Sequence, residues 1–334
     1  MSTPTFVQRV YWTAFLANRV RGQATYPFTP LAGIMQDRDR AVRRMVSHAF
    51  HRVPWYRRAL LADGLRPEHI QSADDLARLP LIDADSLRSA PDQFLSTTVN
   101  PHTSLTLKTS GSSGTSRAIL LDRTSVFLNA AHGERERHMM TEAIGKRYGY
   151  REAVIVLSPD REESSTPRVQ RYLREHAFLP PGMTIERLYI DATEAPERYL
   201  SRLNAFAPDM IQGYGSSIEA LCDHVNKAGV EFHHPRAMYF HSDGISERTR
   251  TILRARSIPV FSTYESCEAL KIGFECQAHV ELPSGRPGRL VAGPLSVRTY
   301  AAKTVVENGR AGGEHSVAVG PDGESQRNLP AVYR

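Results

Sequence analysis

Every residue from 109 to 115 is threonine, serine or glycine: Thr109, Ser110, Gly111, Ser112, Ser113, Gly114 and Thr115. Short hydroxylated side chains and glycines let a backbone turn its N–H groups around an anion, and a polyphosphate is the usual occupant of such a cradle. An ordinary Ser/Gly-rich hairpin turn has the same composition. The flanks narrow the choice. A Walker loop needs Gly-Lys-Ser/Thr leading into a helix, whereas Gly114 is followed by Thr115, Ser116, Arg117 and the aliphatic run 118–121. That run is too short for a helix, so the loop is expected to join strand to strand. This disfavours a kinase or GTPase and suits a hairpin loop that folds over the phosphates of ATP.

Three further segments follow apolar strand-like runs. In Gly213-Tyr214-Gly215-Ser216-Ser217 a strand enters a tight turn, and Ser216 or Ser217 can cap the next helix. Tyr214, Gly215 and Ser216 would then form a cleft wall that meets a substrate, although a plain strand–turn–helix explains most of the pattern. In His241-Ser242-Asp243-Gly244 the short residues let the backbone approach a flat ligand such as adenine, and a capped turn would look the same. In 261–268 an aromatic is followed by small polar residues and a carboxylate. Tyr264 can lie against a base, Thr263 can hydrogen-bond, and Glu268 can hold Mg²⁺ bound to phosphate. A surface carboxylate is the bland alternative for Glu268.

These residues need strand ends to position them, and the rhythm of the chain supplies strands. Strand-like runs fall at 104–109, 118–121, 153–157, 187–190, 210–212, 237–240 and 259–262, with helix-like runs at 124–143, 166–177, 195–206, 215–228 and 246–256. Such alternation gives an α/β fold, a mostly parallel sheet flanked by helices, with ligands at the carboxyl ends of the strands. Residues 1–60 read as amphipathic helix with a solvated basic face at Arg40, Arg43 and Arg44, broken at Pro54. Capped short helices are expected at 72–76 and 83–87. The division is a helical part of the core over 1–100, a nucleotide-binding core over 101–280 and a small β-rich part over 281–334, with strands at 289–292 and 315–319.

Composition bounds the rest. The 334 residues are 41% hydrophobic and 23% charged, ordinary for a globular chain large enough to bury a substantial core. The net charge of +6 comes from scattered basic residues interleaved with acids, as at 160–163, so an anionic substrate rather than nucleic acid is expected as partner. Cys222, Cys267 and Cys276 form no disulfide framework, which fits a reducing, cytoplasmic setting. Cys276 and His279 have the spacing of half a zinc site with Cys267 as a third ligand, but no second Cys/His pair completes it. No apolar run approaches membrane-spanning length, and no membrane partner is expected.

Taken in order, the phosphate loop, Gly-Tyr-Gly-Ser, Ser-Asp-Gly and Tyr264-x-x-x-Glu268 resemble the adenylate-forming superfamily, specifically the branch of phenylacetate–CoA ligases and capsule-biosynthesis ligase-like proteins. The stretch 49–58 with its Val53-Pro54-Trp55-Tyr56, then 64–68 and 74–80, is similar to that branch's opening. The resemblance covers about residues 40 to 334. It implies that a carboxylic acid attacks the α-phosphorus of Mg·ATP to give an acyl adenylate and pyrophosphate. The acyl group then passes to a thiol (CoA or a carrier protein) or to an amine. By resemblance, 109–115 hold the phosphates, 242–244 and Tyr264 hold adenine, and Glu268 holds Mg²⁺. The acid would be aryl or another small acid, lying between helix 124–143 and turn 213–216. His132 and His138, on that helix, are expected to face solvent. The acceptor and homodimerisation are left open.

Departures from the family pattern carry expectations of their own. Glu265 stands where most members have glycine, Cys267 where they have Thr or Ser, and Thr115 where a lysine is common. The segment 328–334 is similar to the family's "PliRYr", which normally continues into an aspartate that grips the ribose and then into a lysine-bearing domain of about 100 residues. The chain ends before either, so impaired ATP affinity and adenylation are expected of it. The alternative is a catalytically impaired homologue that binds nucleotide or acyl adenylate as a binding or partner module.

Overall fold

The computed structural model describes residues 4–82, 84–108, 118–157, 165–179, 185–275 and 290–292. Three helices open the chain: α1 (Phe6–Val20), α2 (Leu31–Arg52) and α3 (Pro54–Ala62). Pro54 ends α2 and starts α3, taking the first helical position, where its missing N–H costs nothing. The buried side chains of α2 are Val42, Val46, Ala49 and Phe50, one stripe at helical spacing. Its basic side is an open groove of about 470 Å³ lined by Arg43, Arg44, Ser47, His48, His51 and Arg52, as a solvated face should be. The expected capped helix near 72 is instead a 3-10 turn, Asp74–Arg78. No side chain caps the turn, and the Asp75 carboxylate instead accepts from the Gln71 and Ser72 N–H groups just before it, both at 2.9 Å. The helix α4 (Ala84–Ser89) follows.

The hairpin β1 (Leu105–Lys108) and β2 (Ala118–Leu121) pairs antiparallel, with Lys108 opposite Ala118. The loop 109–117 therefore joins strand to strand. Asp122 then caps α5 (Arg123–Ile144) by accepting from the Ser125 N–H at 2.7 Å. Gly145, at φ +73°, ends the helix in the left-handed conformation.

From there strands and helices alternate: β3 (Arg151–Val156), α6 (Ser165–His176), β4 (Glu186–Asp191), α7 (Pro196–Phe206), β5 (Met210–Tyr214), α8 (Gly215–Ala228), β6 (Ala237–His241), α9 (Glu247–Ala255) and β7 (Val260–Ser266). Two antiparallel strands, β8 (Leu270–Glu275) and β9 (Leu290–Ala292), extend the sheet, whose order is β4-β3-β5-β6-β7-β8-β9. The first five are parallel. The chain steps from β3 outward to β4, then crosses back past β3 to β5. Right-handed crossovers consequently put α6 on one face and α7, α8 and α9 on the other. Tyr199, Leu203, Ile218, Leu221, Val225 and Leu253 from the latter three helices bury against Ile155, Ile211 and Met238 of the sheet. The opposite face receives α5, whose Met140 and Ile144 pack with Met210, Ala237 and Phe261.

The strand expected at 259–262 runs on to Ser266 and folds back as β8, a strand the sequence reading did not anticipate. Leu270, Ile272 and Phe274 alternate there with Lys271, Gly273 and Glu275, the period-2 signal of a strand. The strand reading at 289–292 matches β9, while that at 315–319 lies outside the described residues.

Candidate functional site

Strand order reverses between β3 and β5, and parallel α/β sheets bind their ligands at the carboxyl ends of the strands at such a switch point. Tyr214, the last residue of β5, stands at that point. Leu157, just past β3, makes a backbone hydrogen bond to the Tyr214 phenol, while burial pushes the phenol pKa up. The ring packs edge-on against His241 at 5.1 Å between centroids, and the two residues are register partners on β5 and β6. Burial lowers the His241 pKa, with Asp243 opposing, and its Nδ1 lies 3.0 Å from the Ser242 hydroxyl.

The Ser242-Asp243-Gly244 segment is a structural clasp as well as a candidate ligand wall. Ser242 has φ +72° in a γ-turn closed by the Asp243 N–H donating to the His241 carbonyl at 2.9 Å. Strain of that kind in a non-glycine residue gathers at binding sites. The turn aims the Asp243 carboxylate at α8, where it accepts from the N–H groups of Gly215 at 2.5 Å and Ser216 at 3.1 Å. This corrects the expectation that Ser216 or Ser217 caps α8. The cap position falls on Tyr214, which has no capping side chain, and a carboxylate from the neighbouring strand takes over. Gly215 has to be glycine, because a Cβ there would sit 2.3 Å from the Gly244 carbonyl oxygen and 2.5 Å from that of Asp243.

The third segment joins the others through β7. Phe240 pairs with Ser262, and Thr263 is buried with its hydroxyl donating to the Gly273 carbonyl at 3.1 Å. Tyr264 is 56% exposed, so its ring is free to meet a flat ligand. The register slips between Tyr264 and Glu265. Such a bulge re-aims side chains and is common beside active sites. Glu268, half-buried, lies in the tight connection from β7 to β8, where the Ala269 N–H bonds to Ser266. Cys267 donates to the Lys108 carbonyl at 3.6 Å, which ties this connection to the end of β1, one residue before the phosphate-loop reading begins. From α5, Asn129 donates to the Ala269 carbonyl at 3.2 Å and roofs the same corner.

Tyr214, Gly215, Ser216, Ser242, Asp243, Gly244, Thr263, Tyr264 and Glu268 thus gather at one end of the sheet, beside the base of the β1–β2 hairpin. Thr109, Ser110, Gly111, Ser112, Ser113, Gly114 and Thr115 lie outside the described residues, as do Cys276 and His279 of the half zinc site. Among the described residues no group of three His, Cys, Asp or Glu is arranged to hold a metal ion, and no helix is long and apolar enough to cross a membrane. His132 and His138 are both half-buried. Around His132, burial with the positive charges of Arg135 and Arg19 pushes its pKa down to about 4. His138 packs edge-on against Phe28.

The sequence reading missed a charged layer between α5 and the sheet. Glu136 of α5 pairs with Lys271 of β8, and Lys271 lies 3.5 Å from Glu265 of β7. Beyond them Glu152 of β3 pairs with Arg187 of β4 at 2.5 Å. No local signal marks these pairs, because each joins residues far apart in the chain.

No known family profile matches the chain, and no curated protein matches it in sequence. Its solved structural neighbours include 2-hydroxyisobutyryl-CoA ligase in several states. With an open conformation in complex with 2-HIB-AMP and CoA the TM-score is 0.54 at 17% identity, over 81% of this chain and 63% of that one. With the thioesterification state, also carrying 2-HIB-AMP and CoA, it is 0.54 at 18% identity, over 83% and 62%. With the postadenylation state bound to R3-HIB-AMP it is 0.53 at 17% identity, over 83% and 62%. The chain therefore spans less than two thirds of the length of these ligases. At such identity the likeness establishes the fold, which is the α/β core fold of adenylate-forming ligases.

Proposed function

We propose that this chain activates a small carboxylic acid as its acyl adenylate, for transfer to CoA, a carrier thiol or an amine, within the phenylacetate–CoA ligase branch of that superfamily. The observation that carries the reading is that the three segments sit on adjacent parallel strands, starting from β5 at the β3/β5 switch point. Tyr214, the strained Ser242 turn and exposed Tyr264 lie on the neighbouring strands β5, β6 and β7, and Cys267 ties the β7–β8 connection to the end of β1.

In this reading the acid lies under α5 near Tyr214, Gly215 and Ser216, and adenine lies between 242–244 and the Tyr264 ring. Backbone N–H groups and hydroxyls of 109–115 hold the phosphates. An acid oxygen attacks the α-phosphorus, the bond to the bridging oxygen breaks, and pyrophosphate departs with its electrons. The chain's part is to align the carboxylate with that phosphorus and to meet the growing charge with preorganised N–H dipoles. Half-buried Glu268 suits Mg²⁺, which binds through one or two carboxylates together with phosphate oxygens and water. Mg²⁺ held there by Glu268 and the phosphates would neutralise charge on the departing pyrophosphate. The divisions at 100 and 280, and a cytoplasmic location, belong to the same proposal.

The test is exchange of labelled pyrophosphate into ATP across a panel of small acids. Exchange that requires both an acid and Mg²⁺ is expected, weak in keeping with the impaired adenylation expected from the sequence, and its absence with every acid contradicts adenylation. A binding-module reading is favoured by Glu265, a carboxylate where relatives carry glycine. That reading predicts nucleotide binding without exchange.

A further inference from the structure

We propose that the acid accepted at this site carries a cationic amine, received by the Glu265 carboxylate. The inference rests on the acid-activating reading above and names the substrate class for it.

The charge balance of the layer under α5 points that way. Lys271 is one ammonium shared between two carboxylates, Glu136 and Glu265. Glu136 is the closer partner and the more enclosed, with 10% of its side chain exposed against 33% for Glu265. Glu265, at 3.5 Å, is the looser partner and the one a ligand can reach. Its other acidic neighbour, Glu152, is paired with Arg187. Among the described residues the cluster of three thus holds two carboxylates and one ammonium. Carboxylates in such surroundings either take up a proton or acquire a cation. Burial first, and the nearby Glu152 charge second, raise the Glu265 pKa to about 7.

Position makes the carboxylate relevant to substrate. Glu265 follows the β7 bulge directly after Tyr264, and the Lys271 it pairs with also meets Glu136 of α5. That places it beneath α5, on the side of the sheet where the acid is assigned. An acid bearing a second carboxylate would meet like charge there. One bearing an ammonium would complete the layer.

Calorimetric titration of the protein with near-isosteric pairs tests this: β-alanine against butanoate, and para-aminomethylbenzoate against para-ethylbenzoate. The ammonium member of at least one pair is expected to bind at least about tenfold tighter, the scale of a charge-assisted hydrogen bond. In Glu265→Gln the preference should fall to within about twofold while the neutral member keeps its affinity. Equal or tighter binding of the neutral member in both pairs overturns the proposal. So does an ammonium preference that survives Glu265→Gln, or no binding by any member. The wild-type comparison needs no variant to fold. Pyrophosphate exchange run on the same acids separates the two readings. Exchange without ammonium preference removes only the amine assignment, while ammonium-selective binding without exchange removes only adenylation.

Discussion

The carboxylate of Asp243, at the end of β6, accepts the N–H groups of Gly215 and Ser216 and so caps a helix that follows a different strand. One side chain thereby fixes the distance between two walls of the candidate cleft. A negative charge at that helix end also meets the positive end of the helix dipole.

Replacing Asp243 with Ala should cost about 1–2 kcal/mol, the usual loss on removing a helix cap. Asp243→Asn should lose less, because one acceptor oxygen remains. Urea unfolding measures the loss, and hydrogen exchange should show faster opening of the Gly215 and Ser216 amides.

Gly215→Ala should be worse than losing the cap, since the new Cβ would press on two carbonyl oxygens of the Ser242–Gly244 turn at 2.5 Å or less. The backbone of that turn has to move, at a cost of about 1–3 kcal/mol for overpacking. Gly133→Ala is the control. Gly133 lies inside α5 with nothing within 4 Å of a Cβ, so that substitution should stabilise by about 0.5–1 kcal/mol. Thermal melting that gives the two variants the same sign would contradict this geometry.

Arg187→Met should be strongly destabilising. Glu152 is 2% exposed, and its partner at 2.5 Å is Arg187. Leaving a buried carboxylate unpaired costs about 3–5 kcal/mol, whereas replacing both members with apolar residues is often near neutral. Urea midpoints for Arg187→Met and for Arg187→Met combined with Glu152→Leu should therefore differ, with the double variant the more stable.

Acid should weaken the fold through His132. Its native pKa is held near 4, below the ordinary 6.5, by burial first and by Arg135 and Arg19 second. Below the ordinary value the unfolded chain takes up a proton that the native chain refuses, so stability present at neutral pH is lost as pH falls toward 4. His132→Gln should flatten the fall in urea midpoint between neutral pH and about pH 5. An unchanged slope would mean that His132 titrates normally.

Much of this was legible in the sequence because periodicity is local. The helix expected at 215–228 is observed at Gly215–Ala228, and that expected at 124–143 differs from α5 by one residue at each end. The strand-to-strand setting of the 109–117 loop followed from the short run 118–121 alone. What stayed hidden depends on partners distant in the chain. The α8 cap comes from residue 243, and the Glu136–Lys271 pair spans α5 and β8. The strand reading stops at 262, yet β7 runs to Ser266 because β8 pairs with its end.

The most direct measurement is calorimetric titration with a non-hydrolysable acyl-adenylate analogue, comparing the wild type with Tyr264→Ala. The account predicts one site per chain in the wild type. Affinity should fall about tenfold or more in the variant, the scale of one lost aromatic stacking contact. No binding, or binding that Tyr264→Ala leaves unchanged, would contradict placement of the nucleotide at the ends of β5, β6 and β7.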